Sequence, residues 1–368
     1  MKVLILTTGT GGGHNSCARY IERELKDNNI PCMYKDFYDI VDVNFKNKAS
    51  NLYLGSLKND GKIFKTVYKL GEAYSKTGIT SPVYLVNKLH NKKLYDFINS
   101  NHFDFVIATH LFPALTLTAI NKSSNCPKKI NFITIATDYE PCPFFEESDP
   151  NYFIIQKGLE DEFIAKGISS EKLLPFGIPI ATSFVKKAKS IRDKLGIKTN
   201  ETLILVMLGS MGFGRINDII LDILKIKYVK VAIVCGNNSE LYDNLKQLNN
   251  DNLILFKYIN NMNDLIKSSD IVMSKPGGLS STEIATFGKP LLHIFPIPGI
   301  ENYNTNFFKE RGMSLVCNTK DEIISNIKKL LNDKALQEQM IKNQHKYINE
   351  NSAKDLIEFI IKKYDVKK

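Results

Sequence analysis

The chain has 368 residues, 43% of them hydrophobic, which fits two domains of roughly 150–200 residues with a core each. Six scattered cysteines without a Cys-x-x-Cys pair argue against a disulfide framework or a zinc site and favour a reducing cytoplasm. The formal net charge is +10, and no run of about 18 apolar residues occurs, so no membrane-spanning segment is expected.

Short apolar runs alternate with helical patterns through the first half of the chain. Residues 3–6 form a predicted strand, because this run is too short for a signal-peptide core and leads into glycines. An amphipathic helix is expected over about residues 16–28, and helical periodicity covers about 49–99 with a break near 78–82. Further strands are predicted at 33–36, 105–108, 131–136 and 152–155. This alternation indicates a doubly wound parallel sheet.

A Gly/Pro break at residues 176–180 precedes a second series of elements, which starts near residue 185. Strands are predicted at 202–208, 230–234, 253–256, 271–273 and 291–295. The charged tail from about residue 320 to 368 is expected to be helical, with no sixth strand, and either caps the second domain or returns to the first. We therefore predict an α/β protein with two Rossmann-like domains, residues 1–184 and 185–349, that face each other across a cleft.

A lysine-rich segment lies in the first of these domains. Residues 43–130 contain 13 Lys and no Arg against 4 acidic residues, a local excess of +9. Its central lysines alternate with apolar and aromatic residues: Lys58, Lys62, Lys65 and Lys69 with Phe64, Val67, Tyr68 and Leu70. A basic helix with such a face suits an anionic membrane, and a solvated face over a core stripe explains the same pattern. Nucleic acid is disfavoured, since no recognised module occurs and arginine is scarce.

Residues 8–16, Thr-Gly-Thr-Gly-Gly-Gly-His-Asn-Ser, follow the first strand and open a helix. Glycines such as Gly12 and Gly13 let backbone amides approach an anion or a polar group at this place. The match to the dinucleotide pattern GxGxxG is partial, and Asp36 ends the second strand at the distance of a ribose ligand, so NAD binding stays open. Imidazole titrates near neutral pH, so His14 is a candidate general base, or else it caps the helix.

Two further polar residues follow predicted strands of the first domain. Asp138, in the motif Ala-Thr-Asp-Tyr, follows the strand at 131–136, where a side chain points towards a ligand crevice. It either orients His14, stabilises its imidazolium form, acts on the acceptor hydroxyl itself, or caps the next turn. His110 follows the strand at 105–108 and is a lesser candidate for lining the same crevice.

Residues 274–283, Ser-Lys-Pro-Gly-Gly-Leu-Ser-Ser-Thr-Glu, lie between a strand and a helix of the second domain. Gly277 and Gly278 leave backbone amides open at a helix N-terminus, where a diphosphate binds readily. Ser280 and Glu283 also have the spacing of a capping box, so Glu283 is either structural or a ligand of the ribose hydroxyls.

A second glycine loop, residues 208–214, follows the strand at 202–208. Two glycine loops in two domains fit one nucleotide diphosphate and one acceptor better than a single NAD. The loop at 296–301, Pro-Ile-Pro-Gly-Ile-Glu, is expected to lie across the same cleft.

Together these motifs resemble glycosyltransferase family 28, and within it the branch of monogalactosyldiacylglycerol synthases and processive diacylglycerol glucosyltransferases. Gly-Gly-Gly-His-Asn-Ser resembles the N-terminal signature of that branch, and residues 275–283 with 296–301 resemble the family's donor-site signature. The resemblance implies a GT-B fold whose C-terminal helix, about 350–368, returns to an acceptor-binding and membrane-side first domain. It also implies inverting transfer of a hexose from UDP-glucose or UDP-galactose to the 3-hydroxyl of diacylglycerol. No cofactor and no metal ion are expected, and the expected location is the cytoplasmic face of an anionic cell membrane.

The resemblance also assigns roles to individual residues. His14 is implied as the acceptor-side base, with Asp138 near it and the glycine loop, including Gly12 and Gly13, beside it. On the donor side the implied ligands are Gly209, Ser210 and Met211 for the diphosphate, Ile259 for uracil, Gly277, Gly278 and Ser280 for the phosphates, Glu283 for the ribose, and Glu301 for the sugar hydroxyls.

Two departures from the family pattern leave the substrates open. Ile300 stands where the family usually has Gln before the Glu of the sugar-binding loop, and this departure leaves the identity of the transferred hexose open. After Tyr139 the family often has His and Trp, whereas this chain has Glu-Pro-Cys-Pro-Phe-Phe and no Trp anywhere. The alternatives are a UDP-sugar epimerase or hydrolase, an NAD-dependent oxidoreductase, and a nucleotide-sugar sensor without turnover.

Overall fold

The computed structural model of the protein describes residues 1–9, 12–44, 62–208 and 216–364. The chain divides into two compact units. The first comprises Met1–Thr182, Ile297–Ile300 and Asn351–Lys368, and the second comprises Ser183–Pro296 and Glu301–Glu350. Each unit contains one six-stranded sheet in which neighbouring strands run parallel, which confirms the predicted α/β class.

The sheet of the first unit is built from strands with buried apolar side chains. Its members are β1 (Val3–Thr7), β2 (Cys32–Asp36), β3 (Phe105–Ala108), β4 (Asn131–Ile135), β5 (Tyr152–Ile154) and β6 (Leu173–Leu174). The strand order is β2-β1-β3-β4-β5-β6, so the direction of winding changes between β1 and β3. Such a switch point leaves a crevice at the carboxyl ends of the strands. The two-residue strand β6 was not predicted, because it pairs only at the sheet edge.

Helices of the first unit join these strands. They are α1 (Gly12–Asp27), α2 (Phe37–Val41), α3 (Lys62–Ser75), α4 (Pro82–Lys88), α5 (Asn91–Ser100), α6 (Leu111–Lys122) and α7 (Glu160–Ala165). The next helix, α8 (Thr182–Lys186), begins at Thr182, and its other residues belong to the second unit. The helical period predicted for 49–99 corresponds to α3, α4 and α5, while residues 49–61 lie outside the described residues. The predicted break is present, since Gly78 has a φ of +68° in the turn after α3.

The second unit repeats the pattern. Its strands are β7 (Thr202–Met207), β8 (Val229–Val234), β9 (Leu253–Phe256), β10 (Ile271–Ser274), β11 (Leu291–Ile294) and β12 (Leu315–Cys317), in the order β12-β11-β10-β7-β8-β9. The described part of the tail from residue 320 is helical and contains no strand, as expected, but the sixth strand β12, which precedes the tail, was not predicted. β12 has three residues and is fixed by its pairing with β11, which a short apolar run does not reveal. The switch point here lies between β7 and β10.

The helices of the second unit and the C-terminal helix complete the fold. They are α9 (Asn217–Ile223), α10 (Ser239–Lys246), α11 (Met262–Ser268), α12 (Gly278–Thr286), α13 (Ile300–Glu310), α14 (Lys320–Asn332), α15 (Lys334–Tyr347) and α16 (Ser352–Lys363). Within the ranges that the structure describes, none of the helices has the length and apolar character that a bilayer crossing requires.

Helix α16 packs within the first unit, against α1. Leu356, Ile357 and Ile360 are fully buried there. At the start of the helix, the buried Ser352 hydroxyl donates a 2.8 Å hydrogen bond to the Ile178 carbonyl and accepts a 3.0 Å hydrogen bond from the Ile180 amide. One hydroxyl thus satisfies two buried backbone groups in the chain that leads out of β6.

We expect Ser352→Ala to lower the free energy of unfolding by about 2–4 kcal/mol, because it leaves a buried carbonyl and a buried amide unpaired. Urea unfolding at pH 7 measures this loss. Lys354→Ala, which removes a half-exposed side chain of the same helix, is the control and should change stability by less than about 0.5 kcal/mol. Equal effects of the two substitutions would show that the Ser352 contacts do not anchor the helix.

Candidate active site

Three loops meet at the switch point of the first sheet. β1 leads into the glycine loop and α1, β3 leads into Thr109 and His110, and β4 leads into Thr137 and Asp138. Because β1, β3 and β4 are adjacent parallel strands, their carboxyl ends lie at one edge of the sheet. The predicted residues His14, His110 and Asp138 therefore all belong to this edge. Residues 10–11 of the glycine loop lie outside the described residues, and Gly12 and Gly13 form the exposed start of α1.

The ring of His14 is held by its Nδ1 atom. Nδ1 lies 2.8 Å from the Thr109 carbonyl oxygen and 2.8 Å from the Thr137 hydroxyl oxygen. A carbonyl oxygen can only accept, so Nδ1 carries the proton and donates it, and the lone pair of the neutral ring is on Nε2. The Thr109 hydroxyl also donates to the His14 carbonyl at 3.2 Å. The arrangement fixes one tautomer of His14, with Nε2 available as a proton acceptor.

His110 lies against this ring. The two imidazole centroids are 4.7 Å apart and the rings are nearly perpendicular. His110 Nδ1 accepts a 3.1 Å hydrogen bond from the Phe112 amide and so caps α6. Burial, with a smaller contribution from the neighbouring His14, keeps the pKa of His110 well below its ordinary value. His110 is therefore neutral at pH 7, and a proton taken up by His14 meets no second positive ring.

Thr109 and Thr137 are the residues of this site that sequence reasoning missed. Each stands directly before a residue that was singled out, His110 and Asp138 respectively. Their position just after β3 and β4 could have indicated a role in the site. A threonine at such a position is, however, also common where a strand simply ends. Asp138 is partly buried beside Thr137.

Two neighbouring polar residues have structural partners. The Asn15 side-chain oxygen accepts hydrogen bonds from the Thr7 hydroxyl at 3.0 Å and from the Tyr34 hydroxyl at 3.2 Å, which ties α1 to β1 and β2. The Asp36 carboxylate accepts from the Tyr38 amide at 2.9 Å and caps α2. The carboxylate considered for the ribose of NAD thus serves as a helix cap.

An acidic group with a raised pKa follows Asp138. Burial raises the pKa of Glu140 to about 7, while Lys166 lowers it and Glu162 and Glu72 raise it further. Glu72 belongs to α3, and Glu162 belongs to α7. The loop that carries Asp138 therefore lies close to charged groups of both helices.

In the second unit, β10 leads through Gly277 into α12. Gly277 is the N-cap with extended backbone angles, and no side chain described in the structure caps the helix. The first intrahelical bond runs from the Ser281 amide to the Gly277 carbonyl at 2.9 Å, so the amides of residues 278–280 have no acceptor within the helix. Among the described residues, no atom lies within 4 Å of a methyl group placed on Gly277. This open helix N-terminus has the properties of a phosphate site.

The loop before α12 is held from two sides. The fully buried Asn304 donates a 2.9 Å hydrogen bond from its side chain to the Pro276 carbonyl. The Lys275 amide donates to the Met207 carbonyl at 3.3 Å, which places the loop beside the carboxyl end of β7. The predicted donor residues Gly209, Ser210 and Met211 follow β7 and lie outside the described residues.

The interpretation of Ser280 and Glu283 as a capping box was wrong. Helix α12 starts at Gly278, so Ser280 lies in its first turn and Glu283, which is 7% exposed, lies in its interior. The two glycines allow the helix to begin earlier than the spacing suggested. A capping box does occur, at Thr319 and Glu322 of α14.

The other predicted donor-side residues follow strands of the same sheet. Glu301 is in the first turn of α13, after β11, the strand next to β10. Ile259 is partly buried and follows β9, at the opposite edge of the sheet. The structure therefore groups Gly277, Gly278, Ser280 and Glu283 on α12, with Glu301 on the neighbouring connection and Ile259 three strands away.

A buried histidine of the sheet contacts α12. His293 of β11 is fully buried, with Nε2 2.9 Å from the Ser281 hydroxyl and Nδ1 3.0 Å from the Ser314 hydroxyl. Burial lowers the pKa of His293 to about 3. This neutral ring links α12 to the residue before β12, and no sequence motif pointed to it.

No cluster of three or more His, Cys, Asp or Glu side chains that could hold a metal ion occurs in the described part of the chain.

Comparison with known proteins gives two family matches and one fold. The model of the monogalactosyldiacylglycerol (MGDG) synthase family matches residues 14–180, and the model of the glycosyltransferase family 28 C-terminal domain matches residues 203–360. The processive diacylglycerol beta-glucosyltransferase of Bacillus pumilus is 27% identical over 99% of this chain and 96% of that protein.

Solved structures agree in fold. MnaA of S. aureus with UDP has a TM-score of 0.65 at 13% identity and covers 100% of this chain and 98% of that chain. MurG of Acinetobacter baumannii has a TM-score of 0.64 at 14% identity and covers 98% of this chain and 99% of that chain. The two Rossmann-like units therefore form a GT-B fold, as predicted.

We expect the His293 ring to make stability depend on pH. Its pKa is about 3 in the folded state against an ordinary 6.5, so the folded state binds fewer protons and loses stability as the pH falls below about 6.5. Between pH 7 and pH 5 the wild type should lose about 2 kcal/mol more than His293→Gln in urea unfolding. His345→Gln, at an exposed histidine, is the matched control and should keep the wild-type slope. An unchanged slope in His293→Gln would contradict the assignment.

Proposed function

Because the chain belongs to glycosyltransferase family 28, in its monogalactosyldiacylglycerol synthase branch, we propose that it transfers a hexose from a UDP-sugar to the 3-hydroxyl of diacylglycerol, with inversion at C1. The donor is UDP-glucose or UDP-galactose. The observation that carries the proposal is the fixed tautomer of His14, whose Nδ1 is held by Thr109 and Thr137.

On the acceptor side, Nε2 of His14 takes the proton of the lipid hydroxyl while the hydroxyl oxygen attacks C1 of the sugar. The imidazolium that forms is stabilised through its Nδ1–H by the Thr109 carbonyl oxygen, which lies 2.8 Å away. Asp138 follows Thr137 in the same loop, and we assign to it the role of adding negative charge on this side of the ring. The neutral His110 avoids a repulsion that a second imidazolium would cause.

On the donor side, the amides and the dipole at the start of α12 stabilise the negative charge that develops on UDP as it leaves. Backbone donors supply this stabilisation, so we propose that no divalent metal is required. The remaining roles follow the family pattern: Gly209, Ser210 and Met211 beside the diphosphate, Ile259 at uracil, Gly277, Gly278 and Ser280 at the phosphates, Glu283 at the ribose and Glu301 at the sugar hydroxyls.

The membrane side of the proposal rests on α3 and α4. Seven large apolar residues between residues 63 and 89 are between 44% and 79% exposed: Ile63, Val67, Leu70, Ile79, Leu85, Val86 and Leu89. Val67 and Leu70 are exposed, so these residues do not form the buried core stripe that was the alternative. An exposed apolar patch beside lysines such as Lys65 and Lys69 is typical of a surface that binds anionic lipid. We therefore propose that the protein works on the cytoplasmic face of an anionic membrane.

UDP release from UDP-glucose and from UDP-galactose, each with and without diacylglycerol in anionic vesicles, tests the function. Lipid-dependent release with a new glycolipid supports the proposal and identifies the donor. Release without lipid would favour a hydrolase, and UDP binding without any release would favour a sensor.

We expect His14→Ala to lower kcat by about 10²- to 10⁴-fold, because the acceptor hydroxyl loses its general base. Calorimetry should show unchanged UDP binding. Thr137→Val, which removes one contact to Nδ1, should cost about 5- to 10-fold, and Thr137→Ser should stay near the wild type. Near-full turnover of His14→Ala would rule out the assigned base.

Reversing two charges of α3, in Lys65→Glu/Lys69→Glu, should weaken binding to anionic vesicles at least about 30-fold, because each lysine near such a surface contributes about 1 kcal/mol. Sedimentation with vesicles measures this, and uncharged vesicles should show no such difference. Lys328→Glu/Lys329→Glu, an exposed pair on α14 of the second unit, is the matched control. Unchanged sedimentation of the α3 variant would disprove docking through this helix.

A further inference from the structure

The segment of residues 140–147, Glu-Pro-Cys-Pro-Phe-Phe-Glu-Glu, is where this chain departs from the family pattern. It starts two residues after Asp138 and ends with the acidic pair Glu146 and Glu147. Instead of the usual His and Trp it has two prolines, which restrict the backbone, and two phenylalanines. All of these residues lie in the first unit, as do α3 and α4.

The 140–147 segment packs on the C-terminal half of α3. The Ser75 hydroxyl donates a short hydrogen bond to the Glu146 carboxylate. The rings of Tyr74 and Phe144 lie 6.1 Å apart, edge to face. A methyl group on Gly71 would come within 3.2 Å of the Pro143 Cβ, so the helix backbone approaches the proline closely. Pro143, Phe144 and Glu146 of the segment thus contact one face of α3.

The same segment holds the start of α4. Glu147 accepts two hydrogen bonds from Ser81, one from the amide at 2.5 Å and one from the hydroxyl at 2.5 Å. Ser81 is fully buried and is the N-cap of α4, since its hydroxyl accepts from the Tyr84 amide at 2.9 Å. Hydrogen bonds to a carboxylate are about twice as strong as neutral ones, so this contact fixes the position of α4.

The backbone of the segment is held in an unusual conformation. Phe144 has a φ of +68°, in the left-handed region that bulky residues rarely adopt. Such a conformation persists only where the surroundings hold it. The Lys166 side chain, which donates to the Cys142 carbonyl at 3.2 Å, fastens the segment to the end of α7 on the other side. A shift of α3 or α4 therefore moves the chain that begins at Asp138.

We infer that Glu146 and Glu147 are positioning residues that couple the membrane-docking helices α3 and α4 to the catalytic loop of Thr137 and Asp138. The inference rests on the proposed function, because it assumes that these helices bind lipid and that this loop faces the acceptor. When α3 and α4 are bound to a bilayer, the acidic pair holds the loop at the position where it can contact a diacylglycerol hydroxyl at the lipid surface. A diacylglycerol dissolved in water approaches the site without this constraint.

The test compares two physical forms of one acceptor. Turnover is measured with diacylglycerol in anionic vesicles and with a short-chain diacylglycerol that is monomeric in water, at saturating UDP-sugar. We expect Glu147→Ala to lower the ratio of kcat on vesicle-bound diacylglycerol to kcat on the monomeric diacylglycerol about 10-fold. Vesicle binding and the KM for the UDP-sugar should stay unchanged. Glu147→Gln, which can still accept from the Ser81 amide, should keep the ratio within about 2-fold of the wild type.

A role confined to folding predicts another result. In that case Glu147→Ala loses activity equally on both acceptors, in step with its stability, and this outcome overturns the inference. If Glu147→Ala does not fold, Ser75→Ala removes the contact of Glu146 to α3, and an unchanged ratio there likewise overturns it. A wild type that acts on neither acceptor refutes the proposed function and the inference together.

Discussion

The hydrogen bond from His14 Nδ1 to the Thr109 carbonyl, 2.8 Å long, fixes the tautomer on which the proposed role of His14 as a base depends. A backbone carbonyl is a fixed acceptor that neither rotates nor titrates, so it selects one tautomer of the ring whatever the side chains around it do. This bond exists because Thr109 directly follows β3 and His14 lies in the first turn of α1, which follows β1, and the two strands are neighbours. The orientation of the proposed base is thus a direct result of strand order.

Both sheets use the same constraint to place ligand groups. In each, the winding direction changes beside the first strand of the sheet, between β1 and β3 and between β7 and β10. Loops diverge there, and polar groups at the strand ends are left without secondary-structure partners. In the first unit these groups surround His14, and in the second they include the open start of α12. The proposed acid–base chemistry and the proposed phosphate binding therefore use equivalent edges of two similar sheets.

Sequence patterns predicted most of the fold, because buried parallel strands are short apolar runs bounded by glycine and polar residues. They failed for β6 and β12, two- and three-residue edge strands that pairing alone defines. They also failed for Thr137 and His293, whose importance lies in contacts with residues far along the chain. His14 and the Pro-Gly-Gly loop were predicted because a glycine turn, and a histidine next to one, can be recognised from a few consecutive residues. A hydrogen bond between segments far apart in the chain produces no local sequence pattern of this kind.

The amphipathic pattern of α3 illustrates the remaining limit. A helix in a globular protein is normally held by burying its apolar face, and the sequence does not tell whether that face meets a core or a membrane. Here Val67 and Leu70 are exposed, so their burial contributes little to holding the helix on the protein. Other contacts must do so, and polar contacts at the end of α3, Ser75 with Glu146, and at the start of the following helix α4, Ser81 with Glu147, supply them. An exposed face that is proposed to bind lipid thus requires anchors outside that face, and in this chain the anchors lie in the segment that continues from the proposed catalytic loop.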